Sequence, residues 1–168
     1  MTSIDMIELL KKIGPLPRTL ACNATDAALE VLSGYFKPEL PSTVIESFPT
    51  GSKVWTWKIP QRWELNAATI SCGEKIYLDA MIHPLHVINY SRPFRGKVSR
   101  DDLLKRIHTS ASRPHAIPFV FSFYQDTWGF CVSQVWLDEF KQTTAGIDQF
   151  DINIDSRFED GSLKVLSS

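Results

Sequence analysis

Across 168 residues the sequence has no CxxC pair, no Walker-type phosphate loop, no GxGxxG turn and no GxSxG elbow. Those absences remove the usual signatures of nucleotide binding, thiol redox chemistry and serine hydrolysis. No apolar run approaches the ~20 residues that cross a bilayer, so no membrane partner is expected. Residues 1–6 carry no basic and then apolar stretch, so no secretory signal is expected either. Cysteine is scarce: Cys22, Cys72 and Cys131 are an odd set, which suits reduced thiols and a cytoplasmic setting. An excess of one charge is also lacking, with 18 Lys and Arg against 19 Asp and Glu. That balance argues against the broad basic face of a nucleic-acid binder. The apolar share, 43%, is enough to build a core and excludes a disordered chain.

The pattern along the chain predicts an α+β fold, helical at the front and β-rich in the middle. Ser3 is placed to cap a first helix in which Ile4, Ile7, Leu10 and Ile13 follow helical spacing, and Gly14-Pro15 stop it. A second helix is expected to start at Thr25, with Ala28, Leu29, Leu32 and Tyr35 on one face. Strands are expected at 43–48, 53–59, 67–71, 75–79, 85–90, 150–155 and 163–166, and a hairpin at 117–124 with 128–133. In the strand 53–59, Trp55, Trp57 and Ile59 would share a face. Short helices are expected from Ser99 to about His108 and over 134–142.

Four histidines offer metal chemistry: His83, His86, His108 and His115. Pro84 argues against a helix that would bring His83 and His86 together, and residues three apart on a strand face opposite ways. No metal ligand and no catalytic residue is therefore assigned. Cys131 sits in an apolar stretch and reads as a small buried thiol. The aromatic cluster reads first as a core. It reads alternatively as a groove for a glycan or peptide, in which Trp55 and Trp57 would line one wall. The stretch Arg92–Arg100 is locally basic, a solvated loop or an anion clamp.

Three stretches together carry a resemblance. They are Pro49-Thr-Gly-Ser-Lys-Val-Trp-Thr-Trp-Lys-Ile-Pro-Gln-Arg-Trp63, then Leu85-His-Val-Ile-Asn-Tyr-Ser91 with its continuation to Thr109, and Ala116-Ile-Pro-Phe-Val-Phe-Ser-Phe-Tyr-Gln-Asp-Thr-Trp-Gly-Phe-Cys131. In order and spacing they resemble the prokaryotic aminopeptidase-like protein family. That resemblance covers roughly residues 15–166. It implies a co-catalytic zinc-peptidase core with a β-rich, protease-associated-like insert and a C-terminal winged helix. Only the family's first part is matched; its zinc ligands and general base lie downstream, so zinc is expected only for complete members. The segment Pro17–Thr25 also lacks the glycine of the family's Arg-Ser-x-Thr-Gly-type turn.

The resemblance implies a division into an N-terminal helical segment 1–42, a β-rich insert 43–133 and a return segment 134–168, lacking most of the α/β core. It makes Arg18, His86, Asn89 and Tyr90 candidates for groove-facing positions; Asn89 and Tyr90 read equally as the packed end of a strand. The expected function is the insert-bearing portion of a zinc aminopeptidase-like protein, inactive alone. The alternatives are a binding module with an aromatic groove, or a scaffold docking to a partner that carries the core. Expected partners are a peptide substrate or that core, with self-association through exposed apolar surface.

Overall fold

A computed structural model describes residues 3–168, with side chains described from Met6 onward. The cap expected on Ser3 and the place expected for Ile4 lie outside those side chains. The architecture is α+β, as the pattern predicts, and divides into two units. Unit 1 is residues 1–64 with 158–168, and unit 2 is residues 65–157.

In unit 1, α1 (Ser3–Ile13) and α2 (Asn23–Phe36) share an apolar cluster. Leu9 and Ile13 of α1, one turn apart, bury against Ala28, with Leu16, Leu32 and Tyr35 around them. Ile7 and Leu10 point outward instead. A side chain at Gly14 would meet the Leu10 carbonyl oxygen at 2.7 Å, so glycine suits the stop. α2 begins two residues earlier than expected, because Cys22 rather than Thr25 caps it. The Cys22 Sγ accepts from the Thr25 amide at 3.3 Å, and the Thr25 hydroxyl donates to the Thr19 carbonyl.

β1 (Val44–Pro49) pairs antiparallel with β10 (Ser162–Ser167), from Val44 opposite Ser167 to Pro49 opposite Ser162. The expected strand 53–59 is instead a tight hairpin of β2 (Lys53–Val54) and β3 (Trp57–Lys58), with Val54 opposite Trp57. Trp55 occupies the turn at φ 51° and is 99% exposed, so it shares no face with Trp57. No Asn-Gly or Asp-Gly marks that turn, and alternation alone read it as extended.

Arg62, only 8% exposed, opens β4 (Arg62–Cys72). Its Nη2 lies 3.0 Å from Asp26 and donates to Asn23 Oδ1 at 2.8 Å, while Nη1 donates to the Ser162 carbonyl at 3.0 Å. Glu64 accepts from the Asn23 amide at 2.6 Å, filling one free donor at the start of α2. Lys164 reaches Asp26 at 3.3 Å. Two carboxylates thus face two cations, which is what makes a buried guanidinium tolerable.

In unit 2 a four-stranded sheet runs in the order β5 (Lys75–Asp79), β4, β9 (Gln149–Glu159), β6 (Phe94–Ser99). β6 lies on the basic stretch read from sequence as a loop; it pairs antiparallel with β9 along its whole length. Inward residues alternate along β9, with Phe150, Ile152 and Ile154 buried. α4 (Gln134–Thr143), capped by Ser133 at 3.1 Å from the Trp136 amide, adds Leu137 and Phe140 to that core. Phe140 meets Phe150 at 5.2 Å and Tyr77 edge-on at 5.5 Å.

α3 (Arg100–Leu104), capped by Ser99, ends four residues short of the expected His108. Ile107 and His108 leave it as β7 (Ile107–His108), which pairs parallel with β8 (Phe130–Cys131). The expected hairpin at 117–124 is open loop, touching Asn89 by one bridge at Phe121. Pro114 and Pro118 withhold donors there, and Phe119, Phe121 and Tyr124 face outward.

Two substitutions test this account. Gly161→Ala puts a methyl 2.3 Å from the pinned Arg62 Cδ, and is expected to cost about 1–3 kcal/mol. Gly146→Ala, which meets nothing within 4 Å, serves as its control; urea unfolding measures both. Trp55→Asn, which tolerates positive φ, is expected to gain about 1 kcal/mol in the same experiment.

Candidate functional site

Residues 86–91 enter the interior of unit 2 and are bonded on both sides through the main chain. The Cys131 amide donates to His86 O at 2.9 Å and Ile88 N donates to Gly129 O at 3.1 Å. Asn89 N donates to Val120 O at 3.0 Å, and Ser122 N donates to Asn89 O at 2.9 Å. Tyr90 is 1% exposed and sits at φ 68°, an unusual conformation for a large side chain. The Ser122 hydroxyl donates to Tyr90 O at 3.1 Å, and the Tyr90 ring meets Phe123 edge-on at 4.9 Å. Ser91 is buried too; its hydroxyl donates to Ile88 O at 2.7 Å, and its carbonyl accepts from Ser156 at 2.8 Å.

Of the residues singled out from sequence, His86, Asn89 and Tyr90 therefore come together in unit 2, and Arg18 is an exposed residue of unit 1. Asn89 is buried, and its Nδ2 finds no acceptor among the described residues. His86 is half-buried, with Nδ1 2.9 Å from Cys131 O; that carbonyl can only accept, so Nδ1 carries a proton and donates. His83 and His86 do meet, with ring centroids 5.5 Å apart. The strand argument fails because His83-Pro-Leu-His86 is a turn closed by His86 N donating to His83 O at 3.1 Å. Burial, and then the charge of His86, push the His83 imidazole below its ordinary pKa.

A cleft of about 380 Å³ opens in unit 2 between the 102–108 segment and the 120–128 loop. Ile88, Val120 and Trp128 supply its apolar lining. Arg106 lies over the Trp128 ring, 4.4 Å from its centroid, and its Nη1 donates to Trp128 O at 3.3 Å. Trp128 in turn stacks on Phe94 at 4.5 Å. Gly129 lets this strand approach, since a Cβ there would meet Arg106 O and Ile88 Cδ1 at 2.6 Å each. Trp55 and Trp57 take no part in this lining. Sequence reasoning missed Arg106, Gln125 and Thr127, having read 125–127 as a hairpin turn. The available signal was a polar triplet set between Tyr124 and Trp128.

Among the described residues no three His, Cys, Asp or Glu side chains come together to hold a metal ion, so the residues present do not fit a zinc site. Likewise no described helix is long and apolar enough to cross a membrane. Cys131 offers no thiolate: burial pushes it up to about 12, against a smaller lowering by the Val120 backbone. A thiol raised in the folded state stabilises fully below the unfolded value, near ~8.5, and that contribution is lost as pH rises toward the folded one. Between those limits wild type is expected to lose stability relative to Cys131→Ala by up to about 1.4 kcal/mol per pH unit, read from paired urea titrations at several alkaline pH values.

Comparison with known proteins places this geometry in a lineage. Residues 62–157 match the family described as Domain of unknown function (DUF2172). Over 164 residues the chain is 29% identical to a Clostridium acetobutylicum protein named for polysaccharide biosynthesis and an aminopeptidase-like domain. That match takes in 96% of this chain and 35% of the relative. A crystal structure from Clostridium acetobutylicum, named for a peptidase, matches with a TM-score of 0.80 at 26% identity. It covers 95% of this chain and 36% of that one, so the chain spans about a third of the length of the relatives it matches. The chain belongs to the DUF2172 family and is homologous to an aminopeptidase-like domain protein.

Proposed function

We propose that this chain forms an accessory, non-catalytic part of an aminopeptidase-like protein and hydrolyses no peptide by itself. The observation that carries the reading is the one-sided match: nearly all of this chain aligns with about a third of a structure named for a peptidase. In this reading a co-catalytic zinc core and a winged helix belong to the remaining two thirds of such relatives. The β-rich unit then acts as an insert that shapes the approach of a peptide. His86, Asn89 and Tyr90 serve it by holding the walls of the cleft, since two of the three are buried. The division at 1–42, 43–133 and 134–168 is kept as the proposed correspondence to helices, insert and return segment.

Exposed apolar side chains support a docking role for unit 1. Met6, Ile7 and Leu10 on α1, Val44 and Phe48 on β1, and Val165 on β10 all face outward. Such surface suits a covering core or a second copy of the chain. The deciding assay incubates the purified chain with a panel of aminoacyl p-nitroanilides, once with Zn²⁺ and once with EDTA. Release at the blank rate in both is expected; zinc-dependent release of an N-terminal residue overturns the reading.

A further inference from the structure

We propose that the cleft of unit 2 binds a small polyhydroxylated ligand bearing one anionic group, a sugar acid or a phosphorylated sugar. The inference rests on the cleft alone and stands apart from the peptidase relationship.

The first ground is charge. Asp102 and Lys105 both line the cleft, but they are joined at 2.9 Å, and Asp102 also accepts from the Ser99 hydroxyl at 2.9 Å. Those bonds hold the Asp102 carboxyl below its ordinary range and leave the pair neutral. Asp126, between Gln125 and Thr127 in sequence, is outside the lining and pairs with Arg92 at 3.2 Å. Arg106 forms no ion pair among the described residues, although its charge also acts on Asp102, and only its Nη1 has a protein acceptor. The cleft therefore presents one whole positive charge, already oriented by Trp128, with a fork of donors that matches a carboxylate or phosphate.

The second ground is uncommitted hydrogen-bonding capacity. The side chains of His108, Gln125 and Thr127 line the cleft and make no hydrogen bond among the described residues. Together they offer an imidazole, an amide and a hydroxyl, donors and acceptors interleaved. Each hydroxyl of a sugar both donates and accepts, so it pairs with such a set without leaving a member unsatisfied. The third ground is a platform. Phe121 is 53% exposed at the rim and is braced from behind by Phe123, stacked at 4.6 Å. The apolar C–H face of a pyranose packs on such a ring. About 380 Å³ lies at the small end of ligand pockets, room for one or two sugar rings.

The test titrates the whole chain with glucuronate, glucose 6-phosphate, glucose and glycyl-leucine, followed by calorimetry and by amide NMR. Either anionic sugar is expected to bind at least about tenfold tighter than glucose and to move the Gln125 and Thr127 amides. Binding by glucuronate alone identifies a sugar acid, and binding by glucose 6-phosphate alone a phosphorylated one. Arg106→Gln should erase the preference over glucose. Gln125→Ala, at an exposed position, should weaken binding about fivefold or more with an unchanged unfolding midpoint, and Phe121→Ala should weaken it at least as much. Glucose binding as tightly as the anionic sugars, glycyl-leucine binding better than either, or no response to any of the four at millimolar concentration overturns the proposal.

Discussion

The main-chain crossing of residues 86–91 is the element on which unit 2 depends. It is not a strand of the principal sheet, yet its amides and carbonyls are bonded to 129–131 on one side and to 120–122 on the other. A buried backbone without such partners would be costly, so the two flanking segments are held to it as firmly as strands in a ladder. Tyr90 takes a conformation worth on the order of 1–3 kcal/mol of strain, sustained by the ring contact with Phe123 and the serine bonds around it. The long loop that forms one cleft wall owes its order to this crossing. The loop itself has almost no ladder.

Two guanidinium groups show how the same chemistry serves opposite ends. Arg62 in unit 1 is surrounded: two acceptor oxygens and the Asp26 carboxylate take up its donors, and Gly161 makes room for its stem. Its role is to tie the start of α2 to the strands of unit 1. Arg106 in unit 2 is oriented by an indole face and one carbonyl, and then stops short of saturation. A cation that is fixed in place but not consumed is the physical condition for recognising something else.

Much of the architecture was legible in the residues. The strands expected at 75–79, 150–155 and 163–166 fall within β5, β9 and β10, and the helix expected over 134–142 matches α4 within a residue. What failed did so where local signals gave way to long-range pairing. Cys22 capped α2 because the Thr25 hydroxyl was taken by Thr19, a contact no propensity encodes. Phe94–Ser99 became a strand because β9 offered an edge, although its own residues read as a basic loop. Conversely, 117–124 alternated well, but two prolines left it without a ladder. The cleft was almost invisible in advance. Its residues come from separate stretches, and Gln125 and Thr127 carry no motif; their bareness is a property of packing.

The division of the chain also bears on how it folds. Unit 2 is one continuous stretch, so its contacts can close without help from the rest of the sequence. Unit 1 is interrupted. β1 emerges early in synthesis and finds its partner only when β10 follows, with Val44 meeting Ser167 across the whole of unit 2. Closing so long a loop is slow, and β1 spends that interval as an unpaired edge carrying exposed Val44 and Phe48. Were the middle to fold first, it would shorten the effective loop by drawing its two ends together, and so lower the entropy cost of pairing β1 with β10.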